Sequence, residues 1–249
     1  MRALNGNWGW ALACGALLFV TGCAHRERSA APPPPSIAGQ SAAAPNAEQG
    51  EVGVEPGEEG VEQAPTGRPI YSEVGTASWY GPPYNNRRGA NGKIYDQNAI
   101  TAAHRTLPLG SLIRVTDLQN GKSAMMRVTD RGPFVPGRIL DVSLGAAKAL
   151  GMWRAGTARV RIDVYETPKS IAQGGRWCVQ IGAFSHAGTA KKLEKHLARQ
   201  YEAASVIEFT GPTGHWVRIR PENGDKQRAI AIVRNIRIHE GAAYLVRLD

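Results

Sequence analysis

The sequence predicts two folded units of different class, an all-β barrel and then an α+β domain of βαββαβ order, behind a leader with no core of its own. Three observations carry this. Over residues 71–166 the apolar runs are short and β-branched, and Gly, Pro and Asn-Gly turn signals recur closely, as in a barrel of short strands. Over 175–249 the pattern reads strand, helix, strand, strand, helix, strand, the split βαβ arrangement. No aromatic residue lies between Cys23 and Tyr71, and eight of the sixteen Pro fall in 24–70. Such a stretch buries too little apolar area to offset its ordering entropy.

Residues 1–22 read as an export signal. Arg2 and the amino terminus give a positive end, and 8–20 is an apolar run too short to span a bilayer comfortably. The run ends Val20-Thr-Gly-Cys23, which resembles the bacterial lipobox and implies diacylglycerol on Cys23. Acyl chains embed in lipid, each methylene adding roughly 0.8 kcal/mol. Ala24 follows rather than Asp, which in Gram-negative lipoproteins implies the outer membrane. Residues 23–70 are then a lipid-anchored tether, with Pro32 to Pro35 favouring extended polyproline II.

Charge separates the same parts. The chain is +9 overall, yet 24–70 holds seven Glu against three Arg. Residues 71–249 hold 26 basic and 14 acidic residues. A basic surface suits an acidic partner: nucleic acid, anionic lipid or a carboxylate-bearing polymer. Two of the three Cys, Cys14 and Cys23, lie in the leader, which excludes a disulfide framework in the mature chain. No Cys/His cluster has zinc spacing, and no cofactor is expected.

The barrel segment, 71–166, is organised around 127–141. That stretch starts as a strand, breaks at Gly132-Pro133, turns at Pro136-Gly137 and resumes as a strand at Arg138. Runs at 112–116 and 123–129 flank Asn120-Gly121, a hairpin signal. A two-residue loop there sets Val115 opposite Met126, Ile113 opposite Val128 and, less favourably, Arg114 opposite Arg127. Alternation extends that apolar face to Asp130, which either caps its turn or projects into a cleft. A short helix over 142–150 and a closing strand over 157–165 complete the unit.

Residues 167–174 are a short linker. In 175–249 strands are expected at 177–184, 203–209, 216–219 and 243–248, and helices at 187–201 and 226–238. Alternation assigns Trp177, Val179, Ile181, Val217, Ile219, Tyr244, Val246 and Leu248 to the helix side. Cys178, Gln180, Trp216, Arg218 and Arg247 go to the open side. An exposed Trp with amide and guanidinium groups suits stacking on sugar rings. RNA-recognition motifs share this topology, but the RNP1 signature is absent and an exported chain meets no cytoplasmic RNA, so no nucleic-acid partner is expected.

Gly75-Thr-Ala-Ser-Trp-Tyr-Gly81, Ala90-Asn-Gly92, Thr101-Ala-Ala-His104, Thr106-Leu-Pro-Leu-Gly110 and Asp130-Arg-Gly-Pro-Phe134 follow one another at tight spacing. Together they resemble the rare lipoprotein A (RlpA) family. Val179-Gln-Ile-Gly-Ala-Phe184 is similar to the SPOR domain that often follows in that family. The resemblance implies a double-psi β-barrel and an endolytic lytic transglycosylase, a lyase cleaving MurNAc-GlcNAc linkages in peptidoglycan strands that lack stem peptides. It implies action at the division septum and contact with division-site proteins. Gln180, Trp216 and Arg218, which alternation sets on one sheet face, are then expected to bind the glycan strands.

The reaction asks for a group that protonates the glycosidic oxygen and then takes a proton from the MurNAc 6-hydroxyl, closing a 1,6-anhydro ring. No water enters, so one carboxyl can suffice. A carboxyl kept protonated by burial against apolar neighbours fits that role. By motif position the family's site comprises a Glu after Ala-Asn-Gly, the His of Thr-Ala-Ala-His and the Asp of Asp-Arg-Gly-Pro-Phe. His104 and Asp130 match; Lys93 stands where the Glu is expected, with Asp96 three residues on. Lys93 motivates an alternative, a non-catalytic septal peptidoglycan-binding lipoprotein.

Overall fold

The computed structural model describes residues 67–249; the export signal, Cys23 and the tether up to residue 66 lie outside the described residues. The first domain is a closed barrel of six strands: β1 (Tyr71–Tyr80), β2 (Thr101–His104), β3 (Leu112–Asp117), β4 (Ser123–Asp130), β5 (Arg138–Ser143) and β6 (Thr157–Glu166). Their order around the barrel is β1-β5-β2-β4-β3-β6. β1/β5 and β2/β4 are parallel, the other pairs antiparallel. Ala77, Ile113, Val115, Met126, Val128, Leu140, Val142, Val160, Ile162 and Val164 fill the interior. Each large aliphatic side chain buried there contributes about 1.5–3 kcal/mol.

One helical turn, α1 (Leu144–Ala149), closes one side of the barrel. Ser143 Oγ accepts from Ala146 N at 3.1 Å, satisfying an orphan donor of the first turn, and donates to Ala99 O at 2.5 Å. Gly145 lets the helix start approach the 97–99 backbone: a Cβ there would stand 2.1 Å from Asn98 O.

Two sequence expectations for the barrel are corrected. β3 and β4 pair Ile113 with Met126 and Val115 with Ala124, two residues away from the register of a two-residue loop. The loop is four residues, 118–121, because Asp117 N donates to Lys122 O at 2.9 Å. Asp117 Oδ1 also accepts from Gln119 N at 2.8 Å, stabilising the longer turn. A slip of two preserves the inward face. It also frees Arg114 from Arg127, and Arg114 instead meets Asp163 at 3.3 Å. The second correction concerns Asp130. β2 and β4 align Ala102 with Val128 but Ala103 with Asp130. The extra residue, Thr129, is a β-bulge, and it carries Asp130 out of phase with the core-facing Val128.

The second domain has strands β7 (Trp177–Phe184), β8 (Ala204–Gly211), β9 (Gly214–Pro221) and β10 (Ala242–Arg247), with helices α2 (Ala187–Gln200) and α3 (Lys226–Asn235). The sheet order is β10-β7-β9-β8, all antiparallel. Trp177, Val179, Ile181, Val217 and Ile219 pack against Ala190, Leu197, Ala229 and Ile232 of the helices. The phase expected for β10 is inverted. Leu245 pairs with Val179 and Ala243 with Ile181, so these two face the helices. Tyr244, Val246 and Leu248 lie with Cys178 on the other face. Arg247 is fully buried, paired with Trp177 and 5.7 Å from its ring, rather than projecting on the open side. β10 is apolar on both faces, so alternation left its phase open and the cross-strand partners decide it.

The two domains are docked. Phe134 of the barrel sits against Trp216 (5.3 Å between ring centroids) and Tyr244 (5.7 Å). Arg247 N donates to Arg105 O at 2.9 Å, and Arg131 Nη2 donates to Asp249 O at 2.7 Å. The connection 167–174 contains no strand or helix.

Candidate active site

Asp130 ends β4 where the Gly132-Pro133 break begins. Its Oδ1 accepts from Arg131 N at 2.8 Å and from Ala90 N at 2.9 Å. The second bond ties the carboxyl to the 81–98 loop, which is also held by Asn91 N donating to Thr129 O at 3.1 Å. Burial pushes the Asp130 carboxyl above the usual carboxylate range; the two backbone donors and the Arg131 charge only partly oppose it. This is the protonation bias that a general acid requires.

Aromatic rings stand beside it. Tyr80 stacks on Tyr95 with centroids 4.4 Å apart, and Tyr84 meets Tyr80 edge-on at 5.6 Å. Burial raises the phenols of Tyr80 and Tyr84, and the charges of Asp130 and Asp141 raise both further. Both tyrosines are therefore neutral hydrogen-bonding groups.

Asp141, on β5, is a second half-buried carboxyl. Ser78 Oγ donates to its Oδ1 at 2.6 Å, and Arg138 Nη2 lies 3.5 Å from its Oδ2. Burial raises it, while Arg138 and Ser78 pull it back towards the anion.

The structure does not bring His104 to Asp130. His104 pairs with core-facing Leu140, in the opposite phase from Ala103. Its Nδ1 accepts from Thr106 N (3.1 Å) and Leu107 N (2.9 Å), and its Nε2 lies 2.7 Å from Glu73 Oε1. An Nδ1 that accepts two N–H donors carries no proton, so the ring is neutral and Nε2–H donates to Glu73. Burial lowers the His104 pKa against the opposing pull of Glu73. Burial raises Glu73, but the bond and charge of His104, with Tyr71 and Arg105, bring it below its ordinary value. The link from His104 to the Asp130 segment runs through its backbone, whose O accepts from Arg131 Nη1 at 2.9 Å.

Lys93 is exposed in the 81–98 loop; its O accepts from Gly89 N and its N donates to Asn91 Oδ1 at 3.0 Å. The loop meets Asp130 through Ala90, three residues away. Asp96 is exposed as well, and its Oδ1 accepts from Asn98 N at 2.8 Å as a local turn cap. Among the described residues, no group of three or more His, Cys, Asp or Glu is placed to hold a metal ion.

The expected exposed sheet face is corrected. Gln180 and Trp216 are only 3% and 5% exposed. Arg218 Nη2 donates to Gln180 Oε1 at 2.7 Å, and its guanidinium lies 4.8 Å from the Phe209 ring centroid. Alternation placed these side chains on the helix-free face correctly, but the barrel's Phe134 covers it. Asp141, Ser78, Glu73 and Phe134 were not singled out from sequence. A signal for Asp141 was present: one acid between Leu140 and Val142, both of them core residues.

The fold and the comparisons agree on a class. Residues 72–162 match the family described as lytic transglycolase, a double-psi β-barrel domain, and 173–247 match the SPOR domain. A protein named endolytic peptidoglycan transglycosylase RlpA from Vibrio cholerae is 41% identical over 150 residues, covering 57% of each chain. The protein of the same name from Pseudomonas aeruginosa strain UCBPP-PA14 is 52% identical over 160 residues, 64% of this chain and 47% of that one. That from Neisseria meningitidis serogroup B is 52% identical over 137 residues, 54% of this chain and 57% of that one. The matches span about half the length of these relatives. The chain carries a lytic transglycolase domain and a SPOR domain and is similar to the RlpA proteins over the matched residues.

Proposed function

We propose that the chain is an endolytic peptidoglycan transglycosylase, acting on glycan strands that lack stem peptides and forming 1,6-anhydroMurNAc ends. The observation that carries the reading is the Asp130 carboxyl, half-buried at a bulged strand end, anchored by two backbone donors and biased by burial towards its protonated form. In this reading Asp130 protonates the glycosidic oxygen as the C1–O bond breaks and the ring becomes oxocarbenium-like. Tyr80 and Tyr84 offer aromatic surface to the sugars. His104 supports the site indirectly, by capping the 105–107 turn. The relatives' shared name supports the same activity.

The SPOR domain serves peptidoglycan binding, with Gln180, Trp216 and Arg218 taking part once Phe134 leaves their face, and the protein works at the septum, tethered by lipid on Cys23 to the outer membrane. Cys23→Ala is expected to leave unprocessed precursor or to release the protein from the membrane fraction. Unchanged size and fractionation would refute the anchor.

Activity is tested with the soluble 71–249 fragment on amidase-treated peptidoglycan, followed by detection of 1,6-anhydro ends. Abundant anhydro ends support the enzyme. Binding without them leaves the non-catalytic scaffold.

A further inference from the structure

We propose that Asp141 is a second carboxyl of the reaction, the group that receives the proton of the attacking 6-hydroxyl while Asp130 supplies the proton to the leaving oxygen. This rests on the reading of Asp130 as the acid. The placement comes from the sheet. β2 lies between β4 and β5, and Ala103 pairs with Asp130 on one side and with Asp141 on the other. Residues paired across strands share a face, and two interstrand steps put the two Asp Cα atoms about 10 Å apart. The small Ala103 lies between them as a floor.

The neighbouring residues keep that trough open. A Cβ on Gly132 would stand 3.7 Å from both Ala103 Cβ and Asp141 Oδ2. One on Gly89 would stand 3.6 Å from Asp130 Oδ2. Two glycines therefore flank the two carboxyls where side chains would narrow the approach. On β1, Tyr80 follows two residues after Ser78, which bonds Asp141, and Tyr84 meets Tyr80 edge-on at 5.6 Å, so the rings continue the face that carries Asp141. Carboxyls held about 5–5.5 Å apart suit direct attack on C1 by one of them, whereas wider spacing leaves room for a hydroxyl between them.

The surroundings assign the roles. Asp141 has the Arg138 guanidinium at 3.5 Å, the Ser78 hydroxyl donating at 2.6 Å and the charge of Arg105 nearby. Burial raises the Asp141 carboxyl, and all three oppose that rise in favour of the ionised form. Asp130 is held by backbone donors, with Arg131 as its one opposing charge. Two acids facing one trough separate into a neutral acid and a charged base when their surroundings differ in this way. Protonated Asp130 gives its proton to the glycosidic oxygen, and the bonding pair of the breaking C1–O bond leaves with that oxygen. The 6-hydroxyl oxygen of the same MurNAc forms the new C1–O6 bond, and its proton passes to the Asp141 carboxylate. One proton has left Asp130 and one has reached Asp141; exchange with solvent resets the pair.

A purely structural Asp141, holding Ser78 and Arg138, is separable by experiment. The full chain, purified in detergent, is assayed on amidase-stripped glycan strands. Asp141→Asn keeps an acceptor for Ser78 but cannot take a proton. Expected are a 10²–10⁴-fold fall in turnover, unchanged pelleting with glycan, and loss of the acidic limb of the pH–rate profile. Ser78→Ala removes a donor that favours the anion, so that limb moves to higher pH. If Asp141→Asn does not fold, Asp141→Glu serves: partial activity with a displaced acidic limb supports the proposal, and an unmoved limb overturns it. Wild-type turnover and profile in Asp141→Asn overturn it outright. An active wild type with inactive Asp130→Asn and unimpaired Asp141→Asn removes this inference alone. A wild type that makes no anhydro ends removes the reading beneath it.

Discussion

The barrel trough at Asp130 and the helix-free face of the second sheet were both expected to meet sugar, yet the structure treats them differently. The trough is lined by carboxyls and tyrosines, and glycines flank it. The sheet face presents the expected Gln180, Trp216 and Arg218, but Phe134 of the barrel packs on it. One short motif, Asp130-Arg-Gly-Pro-Phe134, serves both places. Asp130 faces the trough, while Arg131 and Phe134 bind the second domain. Burial lowers the Arg131 guanidinium to about 10, and its donors go to His104 O, Leu107 O and Asp249 O. Chemistry and docking are therefore adjacent along the chain, and a change in one place should be felt in the other.

The largest expected effect breaks the chemistry and leaves the docking. Asp130→Asn keeps an oxygen for the Ala90 and Arg131 N–H groups but cannot donate and recover a proton. Anhydro-product formation should fall 10²–10⁴-fold or more with little change in melting temperature. Full activity in this variant would remove Asp130 as the acid. In the wild type the raised Asp130 pKa also sets a sign. The folded state holds this proton more tightly than the unfolded chain, so the group's stabilising contribution is present at low pH and is lost as pH rises through the folded value.

Next comes the docking. Phe134 makes two aromatic contacts, each worth about 0.5–1.5 kcal/mol beyond area. Phe134→Ala should therefore shift the two domains towards separation by roughly 5–150-fold and uncover Trp216. Glycan pelleting by the full chain should rise, and Trp216→Ala added to that background should reverse the gain, weakening binding by about 1–3 kcal/mol, the scale of one lost base–aromatic stack. In the wild type Trp216→Ala should change pelleting less. Equal effects of Trp216→Ala with and without Phe134 would show that the ring does not gate this face.

These contrasts show where the sequence was legible. The barrel, the βαββαβ order and the end of β4 at Asp130 all follow from short-range patterns: β-branched runs, helix periodicity and the Gly-Pro break. What was not legible depended on partners distant in sequence. The Thr129 bulge is defined only by β2 lying alongside β4. The β10 phase is defined only by β7. Trp216 was placed on the right face, but alternation carries no information about a ring from another domain. His104 was selected by its motif, while its partner Glu73, 31 residues earlier, is recognised only once β1 and β2 share a barrel.

A third, smaller effect concerns that pair. His104→Ala strands the Thr106 and Leu107 donors and the Glu73 carboxylate, which should destabilise the barrel by about 1–3 kcal/mol. His104 is held neutral below its ordinary value, so the unfolded chain binds the extra proton first as pH falls. Glu73 is lowered, so its contribution is present above its unfolded value and fades as pH falls through the folded one. Wild-type stability should thus decline as pH drops below about 6.5, the ordinary His value, and the decline should be shallower in His104→Ala. Thermal melts at pH 7 and pH 5 measure this. A parallel pH dependence in the two proteins would exclude the pair as its source. Turnover in His104→Ala should fall less than in Asp130→Asn, because the ring bonds Glu73 and the turn rather than the acid.

The smallest expected effect is Lys93→Glu, and it probes the trough's one departure from the family pattern. Lys93 is exposed, and the loop reaches Asp130 through the backbone of Ala90. The backbone bonds that hold the tip, Gly89 N to Lys93 O and Lys93 N to Asn91 Oδ1, do not depend on the side chain at 93. The substitution should therefore leave the stability within about 0.5 kcal/mol of wild type, as for an ordinary surface change. Across solvent the exchanged charge is screened over about 8 Å at physiological salt. Its influence on Asp130 should be modest and should shrink further as salt is raised. Turnover should change only a few-fold, and upward, because a negative neighbour favours the protonated acid while Asp141 remains available as the base. A rise of 10²-fold or more would mean that Lys93 suppresses the site and that the native chain works as a binding protein. A fall of that size would place the Lys93 ammonium on the substrate.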